Sequence, residues 1–248
     1  MILLYILGIL LGLFLLCVLF LGACALLVDP KKEYEKNSPC YRFLLDSATA
    51  AAMKLLRIRV HVSGMEKIPQ NTKVLFVSNH RSNFDPIVTW YALKKWRIAF
   101  VSKPSNFKIP FFGRIIRKCC FMPIDRENPR KAIPTINRAA KLLRKQEVSI
   151  GIYPEGTRSK NCELLPFHNG VFKIAQKAEA PIVVLCVTGT EKIAKRTPFR
   201  RTDVYLDVLD VFSAQGIKET KTEMIGTAVR RLIEINTEKR DTKWQKDM

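Results

Sequence analysis

The segment Val74–Pro86, VLFVSNHRSNFDP, joins an apolar run to a helix start through a short polar loop. Four consecutive apolar residues are typical of a strand that is buried on both faces of a sheet. Asp85 and Pro86 predict a helix with the acid at the N-cap and proline at the first helical position. The loop can therefore bring the Asp85 carboxylate to one ring nitrogen of His80, which leaves the other nitrogen free to accept a proton from a substrate hydroxyl. The alternative is a plain N-cap beside an unrelated loop histidine.

A second polar loop, Tyr153–Ser159 (YPEGTRS), follows the buried-strand pattern of residues 148–152. In a parallel sheet with helical crossovers, the loops at the carboxyl ends of the strands face one crevice, so the two loops are expected to meet. Gly156 allows close approach of the backbone to a ligand, and the Arg158 guanidinium suits a phosphate. Glu155 is expected to hold that guanidinium or to help position substrate. The alternative is an exposed Glu/Arg turn.

These loops resemble two signatures of the glycerolipid acyltransferase superfamily, His-four-residues-Asp and Glu-Gly-Thr-Arg, and most closely those of bacterial-type 1-acylglycerol-3-phosphate acyltransferases. Two weaker blocks agree in order and spacing. The second block comprises Lys103, Pro110, Phe112-Gly113 and Ile124-Asp125-Arg126, and the fourth comprises Ala180-Pro181-Ile182-Val183 with Gly189-Thr190. The resemblance covers roughly residues 58 to 190.

The resemblance implies acyl transfer from an acyl thioester, either acyl-CoA or acyl-carrier protein, to the free hydroxyl of lysophosphatidic acid. The product is phosphatidic acid for phospholipid biosynthesis, and no metal or cofactor is expected. The implied catalytic residues are His80 and Asp85, and backbone groups near residues 79–82 or in the Glu155-Gly156 turn are expected to stabilise the oxyanion. The implied substrate-binding residues are Lys103, Arg126, Glu155, Gly156, Thr157 and Arg158.

Other activities stay open at the level of the sequence. A member of the same superfamily can act on glycerol-3-phosphate or on another lysophospholipid, and the second block departs from the family pattern at Pro104-Ser105. A lipid or thioester hydrolase would use His80 to activate water. A noncatalytic membrane scaffold or a nucleic-acid-binding protein is the remaining alternative.

Residues 1–28 contain no charged side chain and predict a transmembrane or re-entrant anchor helix. A cleaved signal peptide is the rival interpretation, but no Lys or Arg precedes the apolar run. Residues 38–57 predict an amphipathic helix at the membrane interface, with Arg42, Lys54 and Arg57 reaching lipid headgroups. Lysines at positions 31, 32 and 36 follow the anchor, so we expect a cell-membrane protein whose catalytic domain faces the cytoplasm.

The chain carries 42 Lys and Arg against 22 Asp and Glu, a formal net charge of +20. Such an excess attracts polyanions, either nucleic acid or an anionic membrane surface. Because the basic clusters are interleaved with aromatic residues and no nucleic-acid-binding signature occurs, the membrane surface is the expected partner.

Alternation of strand and helix patterns predicts an α/β fold with a single mixed, largely parallel sheet flanked by helices. The expected catalytic domain is 58–238, followed by a charged tail at 239–248. Residues 204–209 alternate in polarity and predict an edge strand. The seven cysteines are expected to be reduced thiols, and His61 and His168 to be structural.

Overall fold

A computed structural model describes the backbone of residues 1–246 and confirms the α/β fold class. The strands are β1 (Ile58–Ser63), β2 (Leu75–Ser78), β3 (Ile98–Ser102), β4 (Met122–Pro123), β5 (Ser149–Ile152), β6 (Ile182–Thr188) and β7 (Thr202–Phe212). The helices in this described range are α1 (Ile2–Leu26), α2 (Pro39–Leu55), α3 (Asp85–Ala92), α4 (Phe112–Lys118), α5 (Pro129–Arg144), α6 (Lys173–Ala178), α7 (Ile193–Arg196), α8 (Ala214–Lys218) and α9 (Thr222–Lys246).

The strands form one sheet in the order β1-β7-β6-β2-β5-β3-β4. From β6 to β4 every neighbouring pair is parallel, whereas β7 is antiparallel to β6 and parallel to β1. All residues of β2, β5 and β6 are buried, as continuous apolar strands covered by helices on both faces require. Five parallel strands therefore end at one edge of the sheet, and the loops that follow them share that edge.

One sequence prediction about the carboxyl-terminal region is wrong. Residues 204–209 belong to β7, which lies inside the sheet because β1 pairs with it over six positions, from Ile58 with Thr202 to Ser63 with Asp207. The backbone of residues 239–246, in the segment predicted as a charged tail, continues helix α9 to Lys246. Residues 247 and 248 lie outside the described part of the chain.

Helix α1 is apolar throughout, and Leu4–Leu26 is long and apolar enough to cross a membrane. The most apolar stretch of 18 residues within it is not buried against the domain, although a signal sequence would pass the same test of length and composition. The carboxyl end of α1 is attached to the domain: the Tyr41 hydroxyl donates to the Cys24 carbonyl at 2.7 Å, and Arg114 donates to the Ala25 carbonyl at 3.4 Å. The apolar helix thus leaves the domain beside α2 and α4.

Arg42 corrects one expectation for α2, because its side chain is buried in the domain and not extended toward lipid headgroups. Its guanidinium lies 4.5 Å from the ring centroid of Trp90 and donates to the Ile98 carbonyl at 3.2 Å. Burial lowers the pKa of Arg42, and the Trp90 indole in turn donates to Asp46 at 2.6 Å. These contacts fix α2 to α3 and to the start of β3.

Candidate active site

His80 and Asp85 meet as their spacing predicts. His80 follows β2, Asp85 opens α3, and the distance between His80 Nδ1 and Asp85 Oδ2 is 2.7 Å. The His80 side chain is 13% exposed and that of Asp85 is fully buried. Because a carboxylate can only accept, Nδ1 carries the proton and Nε2 is the basic nitrogen.

The prediction that Asp85 caps α3 is wrong, since Phe84 is the N-cap residue and no side chain caps this helix. The Asp85 carboxylate turns back toward the loop instead. Besides His80, its Oδ2 accepts the backbone N–H groups of Arg81 and Ser82, each at 2.7 Å. Three donors on one oxygen fix the orientation of the carboxylate.

Thr190 supplies a further bond, because its hydroxyl donates to Asp85 Oδ1. It lies fully buried just after β6, the strand next to β2. The sequence included Thr190 only as part of a family block, and nothing local marks it as a partner of a residue 105 positions away.

Tyr153 is the second residue whose role the sequence did not reveal. Its ring stacks on the His80 ring with centroids 4.3 Å apart and an angle of 21° between the planes. Burial, followed by the nearby charge of Asp85, raises the pKa of Tyr153 well above its ordinary value, so the phenol is neutral. The stacking contact restricts the orientation of the imidazole ring.

Glu155 does not hold the Arg158 guanidinium, contrary to expectation. Its side chain is 3% exposed and accepts the His80 backbone N–H at 2.6 Å and the Leu165 N–H at 3.0 Å. Burial raises the pKa of Glu155, and the two backbone bonds partly oppose the rise. Glu155 therefore joins the loop after β5 to the loop that carries His80, and a direct contact with substrate is not needed to explain it.

Arg158 is exposed in the loop that follows β5. The neighbouring Ser159 N–H donates to the His80 carbonyl at 2.9 Å, so the two loops meet as predicted. Thr157 is also exposed, and Gly156 has a φ of +70°, a conformation that glycine adopts without strain. Within the described residues, the Arg158 side chain has no hydrogen bond or ion pair, which leaves its charge available to an anion.

Lys103 and Arg126 follow the next strands along the same edge. Lys103 is exposed after β3, the neighbour of β5, and Arg126 lies just beyond β4. More than a third of the Arg126 surface is exposed, yet desolvation of the remainder lowers its pKa. Both cations are thus on the side of the sheet edge that carries Arg158.

The expected oxyanion donors are largely occupied in this structure. The N–H groups of His80, Arg81 and Ser82 donate to carboxylates, and the Gly156 N–H donates to the Tyr153 carbonyl at 3.0 Å. These amides build the loops that hold the histidine.

A cavity of about 460 Å³ adjoins the site and is called the α5 cavity here. Its apolar wall includes Val101, Ile124, Ala132, Ile133, Ile136 and Ile152, and Tyr153 and Gly156 also line it. His168, expected to be structural, lines this cavity too, with its ring against Gly156. Within the part of the chain that the structure describes, no group of three or more His, Cys, Asp or Glu side chains is placed to hold a metal ion.

A His–Asp pair can accept a proton and exposed cations can bind an anion, so an α/β sheet that carries both at the carboxyl ends of its strands has the chemistry of an enzyme site. The model of one protein family, described as Acyltransferase, matches residues 59–188, more than half of the 248 residues. The chain belongs to the acyltransferase family.

Several relatives are named 1-acyl-sn-glycerol-3-phosphate acyltransferase. The chain is 28% identical to that of Haemophilus influenzae over 172 residues, which covers 68% of this chain and 71% of the relative. It is 38% identical to the Escherichia coli (strain K12) protein over 116 residues, 47% of each chain. It is 34% identical to the Cocos nucifera protein over 130 residues, 52% of this chain. The chain spans only 42% of the coconut protein's length.

A solved structure shares the fold. The crystal structure of the 1-acyl-sn-glycerophosphate (LPA) acyltransferase PlsC from Thermotoga maritima superposes with a TM-score of 0.67 and 23% identity. The match covers 81% of this chain and 79% of that one.

Proposed function

We propose that this protein transfers an acyl chain from an acyl thioester to the free hydroxyl of 1-acylglycerol-3-phosphate, giving phosphatidic acid. The observation that carries the proposal is the His80–Asp85 pair, whose buried carboxylate receives four donors on the sheet edge that also carries the exposed Arg158. The printed names of the relatives support the choice of acceptor.

His80 is the proposed general base. Its Nε2 accepts the proton of the acceptor hydroxyl as the oxygen attacks, and Asp85 stabilises the imidazolium that forms. The stacked ring of Tyr153 keeps the imidazole from rotating, because the centroids are only 4.3 Å apart. A positioned base of this kind contributes about 10²- to 10⁴-fold to the rate.

The hydroxyl oxygen attacks the thioester carbonyl carbon, and a tetrahedral intermediate forms. When the intermediate collapses, the carbon–sulfur bond breaks and the new ester bond remains. The thiolate takes the proton from the His80 imidazolium, so the enzyme returns to its starting state. Either acyl-CoA or acyl-carrier protein is compatible with this step.

Arg158 is the proposed ligand of the acceptor phosphate, with Lys103 and Arg126 in support. A guanidinium binds phosphate through paired, charge-assisted hydrogen bonds. Since Ser159 is bonded to the His80 backbone, a phosphate held by Arg158 places the glycerol beside the imidazole. The α5 cavity, which Tyr153 lines, is the proposed site of the transferred acyl chain.

The proposed location is an anionic membrane surface, with the catalytic domain on its cytoplasmic side. The exposed apolar helix α1 supports attachment to a bilayer, and the net charge of +20 supports attraction to anionic lipids. Each basic residue near such a surface contributes about 1 kcal/mol.

An acyl-transfer assay tests the proposal. Purified protein in detergent is incubated with a labelled acyl-CoA and, in separate reactions, with lysophosphatidic acid, with glycerol-3-phosphate or with no acceptor. We expect label in phosphatidic acid and none with the His80→Ala variant. Faster acylation of glycerol-3-phosphate than of lysophosphatidic acid would contradict the proposal. Release of free fatty acid without an acceptor, at the same rate as acyl transfer with one, would contradict it as well.

A further inference from the structure

A second apolar space, the α2 groove, lies between α2 and α3 and has a volume of about 210 Å³. It is lined by Leu45, Ala48 and Ala52 of α2, by Ile87 and Trp90 of α3, and by Phe100 of β3. The α2 residues lie on one face of the helix, where the small alanine side chains leave room between the helices. The groove has no charged residue in its lining, unlike the α5 cavity, which Arg126, Arg130 and Lys173 also line.

Two stacked rings connect the α2 groove with the proposed base. Phe100 lies nearly parallel to Tyr153, with 5.9 Å between centroids and 8° between planes, and Tyr153 stacks on His80. Phe100 lines the α2 groove and Tyr153 lines the α5 cavity, so the two apolar spaces adjoin neighbouring rings of one stack. Gly151 is required here, because any Cβ at that position would lie 2.5 Å from the Phe100 ring.

The outer end of the groove is near helix α1. Phe112, a groove residue that is 38% exposed, follows Phe111, whose ring packs against Gly22 of α1. Ala48 is exposed as well, so the groove is open on the side of α2. With α1 in a bilayer, as proposed above, an acyl chain beside that helix lies next to the outer end of the groove.

We propose that the α2 groove holds the acyl chain that the acceptor already carries, while the transferred chain occupies the α5 cavity. This inference rests on the proposed function and deepens it, because only a lysolipid acceptor has a chain to place there. The groove supplies apolar contacts and no charge, which matches a hydrocarbon chain whose phosphate is held elsewhere, at Arg158. Glycerol-3-phosphate would leave the groove empty.

The test fills the groove by Ala48→Leu and, in a second variant, by Ala52→Leu. Ala51→Leu is the matched control, since Ala51 is exposed on the same helix and does not line the groove. KM is measured for 1-oleoyl and for 1-hexanoyl lysophosphatidic acid at a saturating concentration of one acyl-CoA. Each methylene excluded from an apolar site weakens binding about fourfold, so we expect KM for the oleoyl acceptor to rise about tenfold or more.

In the filled variants, KM for the hexanoyl acceptor and KM for the acyl-CoA should change by less than about twofold. In the Ala51→Leu control, KM for the oleoyl acceptor should also change by less than about twofold. Equal KM changes for long and short acceptors, or a rise confined to the acyl-CoA, would overturn the assignment. Thermal unfolding of each variant in detergent checks the fold, and either filled variant that folds is sufficient. If the unsubstituted protein forms no phosphatidic acid from either acceptor, the proposed function itself fails, which is a different result.

Discussion

Two histidine–aspartate pairs of nearly equal length lie in different parts of this molecule. The distance between His80 Nδ1 and Asp85 Oδ2 is 2.7 Å, and that between His61 Nε2 and Asp203 Oδ1 is 2.8 Å. The first pair lies at the carboxyl ends of the parallel strands, whereas the second joins β1 to β7. Distance alone therefore does not separate the proposed catalytic pair from the other one.

Burial and support separate the two pairs. Asp85 is fully buried and is oriented by backbone N–H groups and by Thr190, whereas the Asp203 side chain is 34% exposed and has Arg201 at 3.6 Å. His61 is 39% exposed and stacks on Tyr205 of the neighbouring strand. A fixed, dry carboxylate can orient an imidazole for proton transfer, and a solvated one contributes mainly a surface interaction.

The largest difference in acyl-transfer rate is expected between substitutions of the two histidines. His80→Ala should reduce acyl transfer by about 10²- to 10⁴-fold because the base is removed. His61→Ala should stay within about twofold of the unsubstituted rate, as an exposed substitution away from the site. Initial rates of phosphatidic acid formation measure both, with membrane association as a control for folding. Comparable losses of activity in the two variants would show that the two pairs do not differ in function.

The two aspartates should differ next. Asp85→Asn keeps the shape but offers an amide N–H to groups that are themselves donors, so the wrong imidazole tautomer is favoured. We expect kcat to fall by up to about 10⁴-fold, the loss that the same change causes in a catalytic triad. Asp203→Asn should leave kcat unchanged. Normal turnover in Asp85→Asn would show that the carboxylate does not orient the base.

Thr190 allows a finer test of the support around Asp85. Thr190→Val removes the hydroxyl at nearly constant volume, and loss of a hydrogen bond to a charged group corresponds to about a tenfold fall in kcat. KM for both substrates should be unchanged, and Thr190→Ser should restore most of the activity because it restores the donor. If Ser and Val behaved alike, Thr190 would serve only packing.

The sequence predicted the parts of the fold that depend on local residue patterns. The apolar runs of β2 and β5 and the five-residue spacing of His80 and Asp85 lie within short segments, so their structure follows from neighbours along the chain. The pairing of Thr190 with Asp85 spans 105 residues and depends on the order of strands in the sheet, to which a linear pattern gives no access.

Glu155 and Arg42 show the same limit in another way. Both are charged residues that the sequence assigned to a ligand or to lipid, and both are buried and satisfied by backbone groups. Charge in a motif indicated contact with a partner, but the partner proved to be the protein's own main chain. The position of β7 was missed for a related reason, since β1 covers it through pairing across more than 140 residues.

The smallest effect concerns the stability that the solvated pair provides. The hydrogen bond from His61, followed by the charge of Arg201, lowers the pKa of Asp203. A carboxyl whose folded pKa is depressed stabilises the fold above its unfolded pKa of about 3.9, and that contribution is lost as the pH falls through the folded value.

Asp203→Asn should therefore lower the thermal midpoint at pH 7 by about 1 to 2 °C, the size expected of a surface pair, with less effect at high salt. The difference should shrink as the pH falls from about 4 through the lowered folded pKa of Asp203, because the carboxylate is then protonated and both proteins lack the charge. A loss of more than about 6 °C at neutral pH would place Asp203 with Asp85 among the carboxylates on which the fold depends, and the contrast between the pairs would then rest on catalysis alone.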